Sequence, residues 1–415
     1  MSLVVRAPLL FALLSFASSA VAHAADDVAF TPYGFIKPTV AILGGTFSSY
    51  GRPNATALTS AGNPTLVADP DALRTSWQLA QSRLGAKLQA GAARAQVELD
   101  FIDFNLSNPT TGSHPRLRQA TVGWAPTDQF SLTIGQTWDN FAPLNPFHRN
   151  YVGGSFTAGN LGFMRDQLIV AHDSDTMLVS GALGFAAPNN NQSDGPLETH
   201  PLPTASLRLG MHIGKASTAG AAGFFGLVPQ SDQTSATAWG ANAFADLKLS
   251  KTTAVRSEVY GGQNLNNTGM LTLGHGVFDA EKDTFTDVRE AGGWVSLHQG
   301  LGKWLALTVT SNGAEVLNSD DAAPGYTTAE NTDEVATLAS APGMTRNLGE
   351  RVGLEVSPTP HLLFYGEGLA METRFVKAPG DTSGQNMNPV RVGAELGAMF
   401  TALNRDKHSL TLDLR

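Results

Sequence analysis

The chain contains no cysteine in 415 residues. That excludes disulfides, thiolate nucleophiles and cysteine-ligated metals. Charged residues are sparse at 15%, and mean hydropathy is only −0.08. Beyond the N-terminal segment no run of about 18 apolar residues occurs, so no transmembrane helix is expected. No G-x-S-x-G elbow is present. Neither is an H-E-x-x-H metal motif nor an EF-hand loop, and the ten histidines are scattered. An enzymatic barrel therefore has no motif behind it, and neither a cofactor nor a metal is expected. The net charge of −9 argues against nucleic-acid binding. No repeat of fixed period appears, which disfavours solenoids and propellers.

What is present begins with a secretory signal over residues 1–24. Arg6 supplies the positive region, Pro8 to Val21 the apolar core, and Ala22-His23-Ala24 the small-x-small site, with cleavage before Ala25. Export without a helical anchor leaves a soluble secreted or periplasmic protein, a surface-bound one, or a membrane barrel.

The alternation beyond it favours the barrel. Arg94, Gln96, Glu98 and Asp100 share one parity, and Ala93, Ala95, Val97, Leu99 and Phe101 the other. Arg83, Lys87 and Gln89 alternate in the same way with Leu84, Ala86 and Leu88, and Ala90-Gly91-Ala92 turns between the two stretches. A period of two with one wet face and one apolar face is a strand. At about ten residues each, these strands are long enough to cross a bilayer at a tilt. A soluble sandwich also alternates, but its strands usually run about five or six residues.

Similar stretches begin at Tyr33, Arg116, Phe130, Asp166, Thr176, Ala205, Ser217, Ala236, Thr252, Val288, Trp304, Gly349, Leu362 and Val390. From Arg116 to Trp124 the facing is ambiguous, because Ala120 and Val122 share the parity of Arg116 and Arg118. Tight turns near 91, 126, 174, 215, 250, 301 and 358 alternate with longer connections at 44–75, 105–114, 138–164, 186–204, 229–235, 264–287, 313–347 and 376–388. Short turns on one rim and long loops on the other characterise an outer-membrane barrel. The expected fold is all-β, a transmembrane antiparallel β-barrel of about 16 strands, an even number as bacterial barrels have. Residues 25–400 form the barrel, and 401–415 are a C-terminal extension of undefined role. Trp124, Phe130, Trp138, Trp239, Trp304, Phe364 and Phe400 fall near expected strand ends, where aromatic girdles lie.

Residues 138–164 break the alternation with aromatics, prolines and glycines. A loop this long inside a barrel is expected to fold inward and narrow the lumen; the alternative is an external loop packed on its neighbours.

Several stretches resemble the trimeric outer-membrane porins of Gram-negative bacteria, and most closely the DcaP-like group. They are YGFIK at 33–37, SRLGAKL at 82–88, RLRQATVGW at 116–124, LTIGQTWDNF at 132–141, RDQLIVAH at 165–172, WGANAFADLKL at 239–249, VYGGQ at 259–263 and GLEVSPTPHLLFYGEGL at 353–369. The resemblance runs from about residue 28 to 400. It implies a 16-stranded barrel, a homotrimer in the outer membrane, and an inward constriction loop after Gly135-Gln136-Thr137-Trp138. It also implies passive passage of small hydrophilic, often anionic, solutes. The chain departs from the pattern in ending on Arg415 and in the few charges of its inward loop.

Pore selectivity comes from charged side chains near the narrowest point. The pore-lining candidates are Arg83, Lys87, Arg94, Glu98, Asp100, Arg116, Arg118, Arg165, Arg256 and Glu258, with Glu395 on the acidic side. Asp139, Asn140, Arg149 and Tyr151 are the constriction-loop candidates. Arg116 and Arg118 are the expected basic rung, favouring small anions; the alternative is that such charges pair across strands and only keep the lumen wet. A structural or adhesive barrel with a plugged lumen is the other functional reading.

Overall fold

The computed structural model describes residues 28–43, 73–101, 115–149, 158–162, 164–184, 203–231, 234–273, 276–279, 284–319, 344–375 and 390–401. The expected signal segment, Tyr151 and most of the C-terminal extension lie outside the described residues.

The main sheet has eighteen hydrogen-bonded segments, but these are sixteen strands, because the first two strands are each broken once. β1 runs as Ala29–Phe35 and Thr39–Leu43, and β2 as Arg74–Gln78 and Arg83–Ala90. Then follow β3 (Ala93–Asp100), β4 (Arg116–Trp124), β5 (Phe130–Trp138) and β6 (Met164–Asp173). β7 is Met177–Gly184, β8 Thr204–Ile213, β9 Ser217–Ser231 and β10 Thr234–Lys248. β11 is Thr253–Gln263, β12 Arg289–Gly300 and β13 Leu305–Val316. β14 (Met344–Thr359), β15 (Leu362–Phe375) and β16 (Val390–Phe400) complete the series.

Every strand pairs antiparallel with the next, from β1 with β2 through β15 with β16. The ring then closes: Thr39–Leu43 of β1 pairs with Gly393–Gly397 of β16. The seam continues through Ile36 and Phe400, whose amides and carbonyls exchange bonds of 3.0 and 2.9 Å. A closed sheet has no edge, so every backbone group inside the apolar layer finds a partner in the chain. The break in β1 falls at Lys37-Pro38, where proline has no amide to offer the ladder. Across the same break in β2, the Ser82 hydroxyl accepts from the Lys37 amide at 2.9 Å.

Burial is inverted relative to a soluble protein. Met211, Val122 and Val259 are 60% or more exposed, whereas Asp100, Ser180, Ser296 and Thr373 are fully buried. The apolar face of the alternation therefore points outward and the polar face into the barrel, as lipid on one side and a polar lumen on the other require. Trp124, Phe130, Trp239, Trp304, Phe364 and Phe400 are exposed on the outside. Trp138 departs from that expectation: it is half-buried, with the Arg118 guanidinium 5.5 Å from its ring centre.

Three further differences from the sequence reading have local causes. The connection expected at 44–75 ends earlier, because Arg74–Gln78 already pairs with β1. The connection at 264–287 is not a simple outer loop. It contains a short 3-10 turn (Asn266–Thr268) and a small hairpin (Val277–Asp279 with Thr284–Thr286), and its Leu265, Met270 and Leu273 are buried. The ambiguity in β4 is a β-bulge. Glu98 pairs with Gln119 and Leu99 with Leu117, so Arg118 is the inserted residue and the strand changes facing there. The β4–β5 ladder stops at Ala120, and the Gln136 amide donates to the carbonyls of Leu117 and Arg118 at 3.0 and 2.9 Å.

Candidate functional site: the lumen and its inward loop

The segment after β5 turns into the barrel and follows its inner wall. Asp139 opens the turn, accepting from the Phe141 amide at 2.8 Å and from Arg165 Nε of β6 at 2.9 Å. The Asn140 side chain exchanges bonds with Ser180 Oγ on β7 at 2.6 Å and with Ser206 Oγ on β8 at 3.1 Å. The Phe141 carbonyl accepts from Asn242 on β10 at 2.9 Å, and the Leu144 amide donates to Glu258 on β11 at 2.9 Å. The Phe147 amide reaches Ser296 on β12 at 2.9 Å, and the Arg149 amide reaches Glu367 on β15 at 2.8 Å. On the return, Asn312 of β13 donates to the Ala158 carbonyl at 2.8 Å. Successive inward polar side chains of the wall thus bind successive backbone groups of the loop. These are groups that would otherwise be unpaired.

Side chains fix the same path. Phe147 lies between the Arg256 guanidinium, 4.5 Å from its ring centre, and the His298 ring at 5.6 Å. Arg149 forms a two-point pair with Glu355 of β14. Its carbonyl accepts from the Lys37 ammonium, which also bonds Gln81 of β2 and Glu395 of β16, the latter at 3.2 Å. Lys37 is fully buried and joins the barrel seam to the loop. Gly159, at φ +103, lies against the wall so closely that a Cβ would sit 2.2 Å from the Gly293 carbonyl oxygen.

Sequence reasoning missed the apolar half of this arrangement. Phe141, Ala142 and Leu161 of the loop pack inside the barrel on Ala222, Phe224, Ala236, Ala238 and Tyr260, together with Leu265 and Met270 of the connection after β11. The Leu271 amide donates to the Leu161 carbonyl at 3.3 Å. The inward parity of Ala222, Phe224, Ala236 and Ala238 was the available signal, since an apolar residue on a lumen face needs a cover.

The remaining expected residues fall as follows. Glu98, Asp100 and Arg118 are buried together: Arg118 Nε is 3.2 Å from Glu98, and its Nη1 is 3.7 Å from Asp100. Arg116 forms a two-point pair with Asp100 at 3.0 and 2.6 Å. Arg83 is buried with Phe35 beneath its guanidinium, and Arg256 pairs with Asp246 at 3.0 Å. Lys87 and Arg94 are exposed on the inner wall of β2 and β3. The candidates therefore do not form one cluster. Asp139, Asn140, Arg149, Arg165, Arg256 and Glu258 hold the loop or the wall beneath it, whereas Arg83, Lys87, Arg94, Glu98, Asp100, Arg116 and Arg118 belong to β2–β4.

This fold has counterparts among solved structures. The DcaP outer membrane channel of Acinetobacter baumannii superposes with a TM-score of 0.67 at 14% identity, over 90% of this chain and 97% of that one. The chain has the outer-membrane porin fold. An anion-selective porin from Comamonas acidovorans matches with a TM-score of 0.54 at 11% identity, over 91% of this chain and all of that one. The trimer form of the outer membrane protein OmpT of Vibrio cholerae gives 0.52 at 12% identity and the same coverage. No protein-family profile and no curated protein matches the sequence.

Proposed function

We infer that the chain is an outer-membrane porin that lets small hydrophilic solutes diffuse through its lumen. The observation that carries this reading is the inward loop. It is pinned to the wall by the Asn140 side chain on β7 and β8 and by its backbone from β10 to β15, inside a closed barrel with a polar interior. A loop held this way narrows a pore to a set aperture, which is how such barrels sieve solutes.

The passage is proposed to run along β2–β4. Inward residues there, such as Lys87, Gln89 and Arg94, are exposed, while those behind the loop, such as Ala238 and Tyr260, are buried. Assembly as a homotrimer is supported by the trimeric form of the Vibrio relative. Anion preference is supported by the selectivity named for the Comamonas relative.

A structural barrel with a plugged lumen is the second reading, and the apolar cluster around Phe141 favours it. Reconstitution in a planar bilayer separates the two. Stepwise ohmic conductance, arriving in threes for a trimer, is the expected result. A folded, heat-modifiable barrel that never conducts overturns the porin and leaves the plug.

A further inference from the structure

Charge on a pore wall selects ions only if it is not already neutralised at contact distance. On β4 the two arginines are neutralised. Arg116 is held by Asp100, and Arg118 by Glu98 and Asp100. Arg118 and both carboxylates are buried as well, so this group presents little net charge to a passing ion.

Two cations on the same wall differ. Lys87 and Arg94 have the inward parity of Arg83 and of Glu98, and both are exposed. Among the described residues neither has a carboxylate within ion-pair distance. The Lys87 ammonium lies 5.6 Å from the centre of the Tyr33 ring. That ring is laid flat on the wall: a Cβ on Gly85 would lie 2.4 Å from Tyr33 Cζ, and the Tyr33 hydroxyl accepts from Gln96 at 2.8 Å. Tyr33 covers the wall between β2 and β3 and leaves the ammonium above it facing the lumen.

The register sets the spacing. Lys87 is opposite Gln96 and Gln89 is opposite Arg94, so the two cations are diagonal neighbours on one face. Their Cα atoms are then about 7–8 Å apart. Two long basic side chains at that spacing converge on one small anion.

We propose that Lys87 and Arg94 form the anion-selecting rung of this barrel, on the wall beside the β2–β3 turn rather than at the Arg116–Arg118 level, and that they take small carboxylates, phosphate or chloride. The proposal rests on the porin reading of the lumen.

Three proteins in one assay test it: reversal potential in a potassium chloride gradient across a planar bilayer. Lys87→Gln/Arg94→Gln is expected to lower the chloride-over-potassium permeability ratio by at least about fivefold, since that is the change in local occupancy that each unpaired unit charge at contact makes in water. Arg116→Gln/Asp100→Asn, which removes a neutral pair, is expected to leave the ratio unchanged. Because the chain has no cysteine, Lys87→Cys/Arg94→Cys can be modified within a single open channel. An aminoethyl methanethiosulfonate reagent, which restores positive charge, is expected to restore the ratio; a sulfonatoethyl reagent is expected to lower it further.

A wild-type channel that conducts while Lys87→Gln/Arg94→Gln keeps its ratio overturns the rung and leaves the porin standing. A ratio insensitive to the sign of the reagent overturns it without any appeal to folding. A wild type that never conducts removes the porin reading itself.

Discussion

Arg149, on the inward loop, donates from Nε and Nη2 to the two carboxylate oxygens of Glu355 on β14, the first at 2.8 Å. Both side chains are largely buried. The pair ties the outgoing limb of the loop, which enters at Asp139, to β14. Removing one partner of a buried pair costs about 3–5 kcal/mol, because the other charge is stranded. Glu355→Ala is therefore expected to free this part of the loop while the barrel stays closed. Single-channel current noise should rise several-fold, with heat-modifiable migration retained. A trace as quiet as wild type would mean that the other anchors hold the loop without this pair.

Lys37 and Glu395 face each other across the seam where β1 meets β16, 3.2 Å apart and almost fully buried. Lys37→Met should lower the unfolding temperature in detergent, with a loss of about 3–5 kcal/mol as for any half-broken buried pair. The double variant Lys37→Met/Glu395→Gln should recover more than half of the loss, because no charge is then left alone. Thermal unfolding of the three proteins side by side checks both statements.

Gly159 meets two carbonyl oxygens, Gly293 at 2.2 Å and Gly313 at 2.7 Å, measured from the Cβ it lacks. Its φ of +103 is also a conformation that side chains strain. Gly159→Val should lift the returning limb of the loop off β12 and β13 and alter single-channel conductance. Gly223→Ala, with nothing within 4 Å of the added carbon, should behave as wild type. Equal conductance for both variants would separate the limb from the aperture.

Gln89 is exposed on the inner wall and Ala238 is fully buried under the loop, though both face into the barrel. Single cysteines at these positions should differ in labelling rate by a water-soluble maleimide by at least about tenfold, because Ala238 becomes accessible only when the loop opens locally. Mass spectrometry of the labelled, folded protein gives the rates. Comparable rates would show that the loop does not seal this sector.

Much of this architecture is legible in the sequence because a barrel wall imposes a period of two. Arg94, Gln96, Glu98 and Asp100 alternate with apolar residues only if one face meets lipid and the other the lumen, and the structure has them so. The inward course of the segment after Trp138 is legible for a related reason: aromatics and prolines without period need cover, and the wall supplies it at Asn242, Glu258 and Ser296. The facing of β4 is not legible, because a bulge adds one residue without changing composition. Arg118 is that residue, and Gln136, well separated in sequence, caps the carbonyls it leaves. Nor does composition show that Leu265 and Met270 turn inward, since their partners Phe141 and Phe224 come from segments distant in the sequence.

The sequence by itself determines the strands, their two faces and the segment that interrupts them, because these follow from local alternation and turn chemistry. Only the tertiary structure decides which charges are neutralised. Strand register brings Asp100 to Arg116, the inward loop brings Arg149 to Glu355 and ring closure brings Glu395 to Lys37, while Lys87 and Arg94 face the lumen with no carboxylate among the described residues at ion-pair distance. Pairing depends on register and on a bulge that shifts one strand by a residue, and neither is written in the spacing of the charges along the chain.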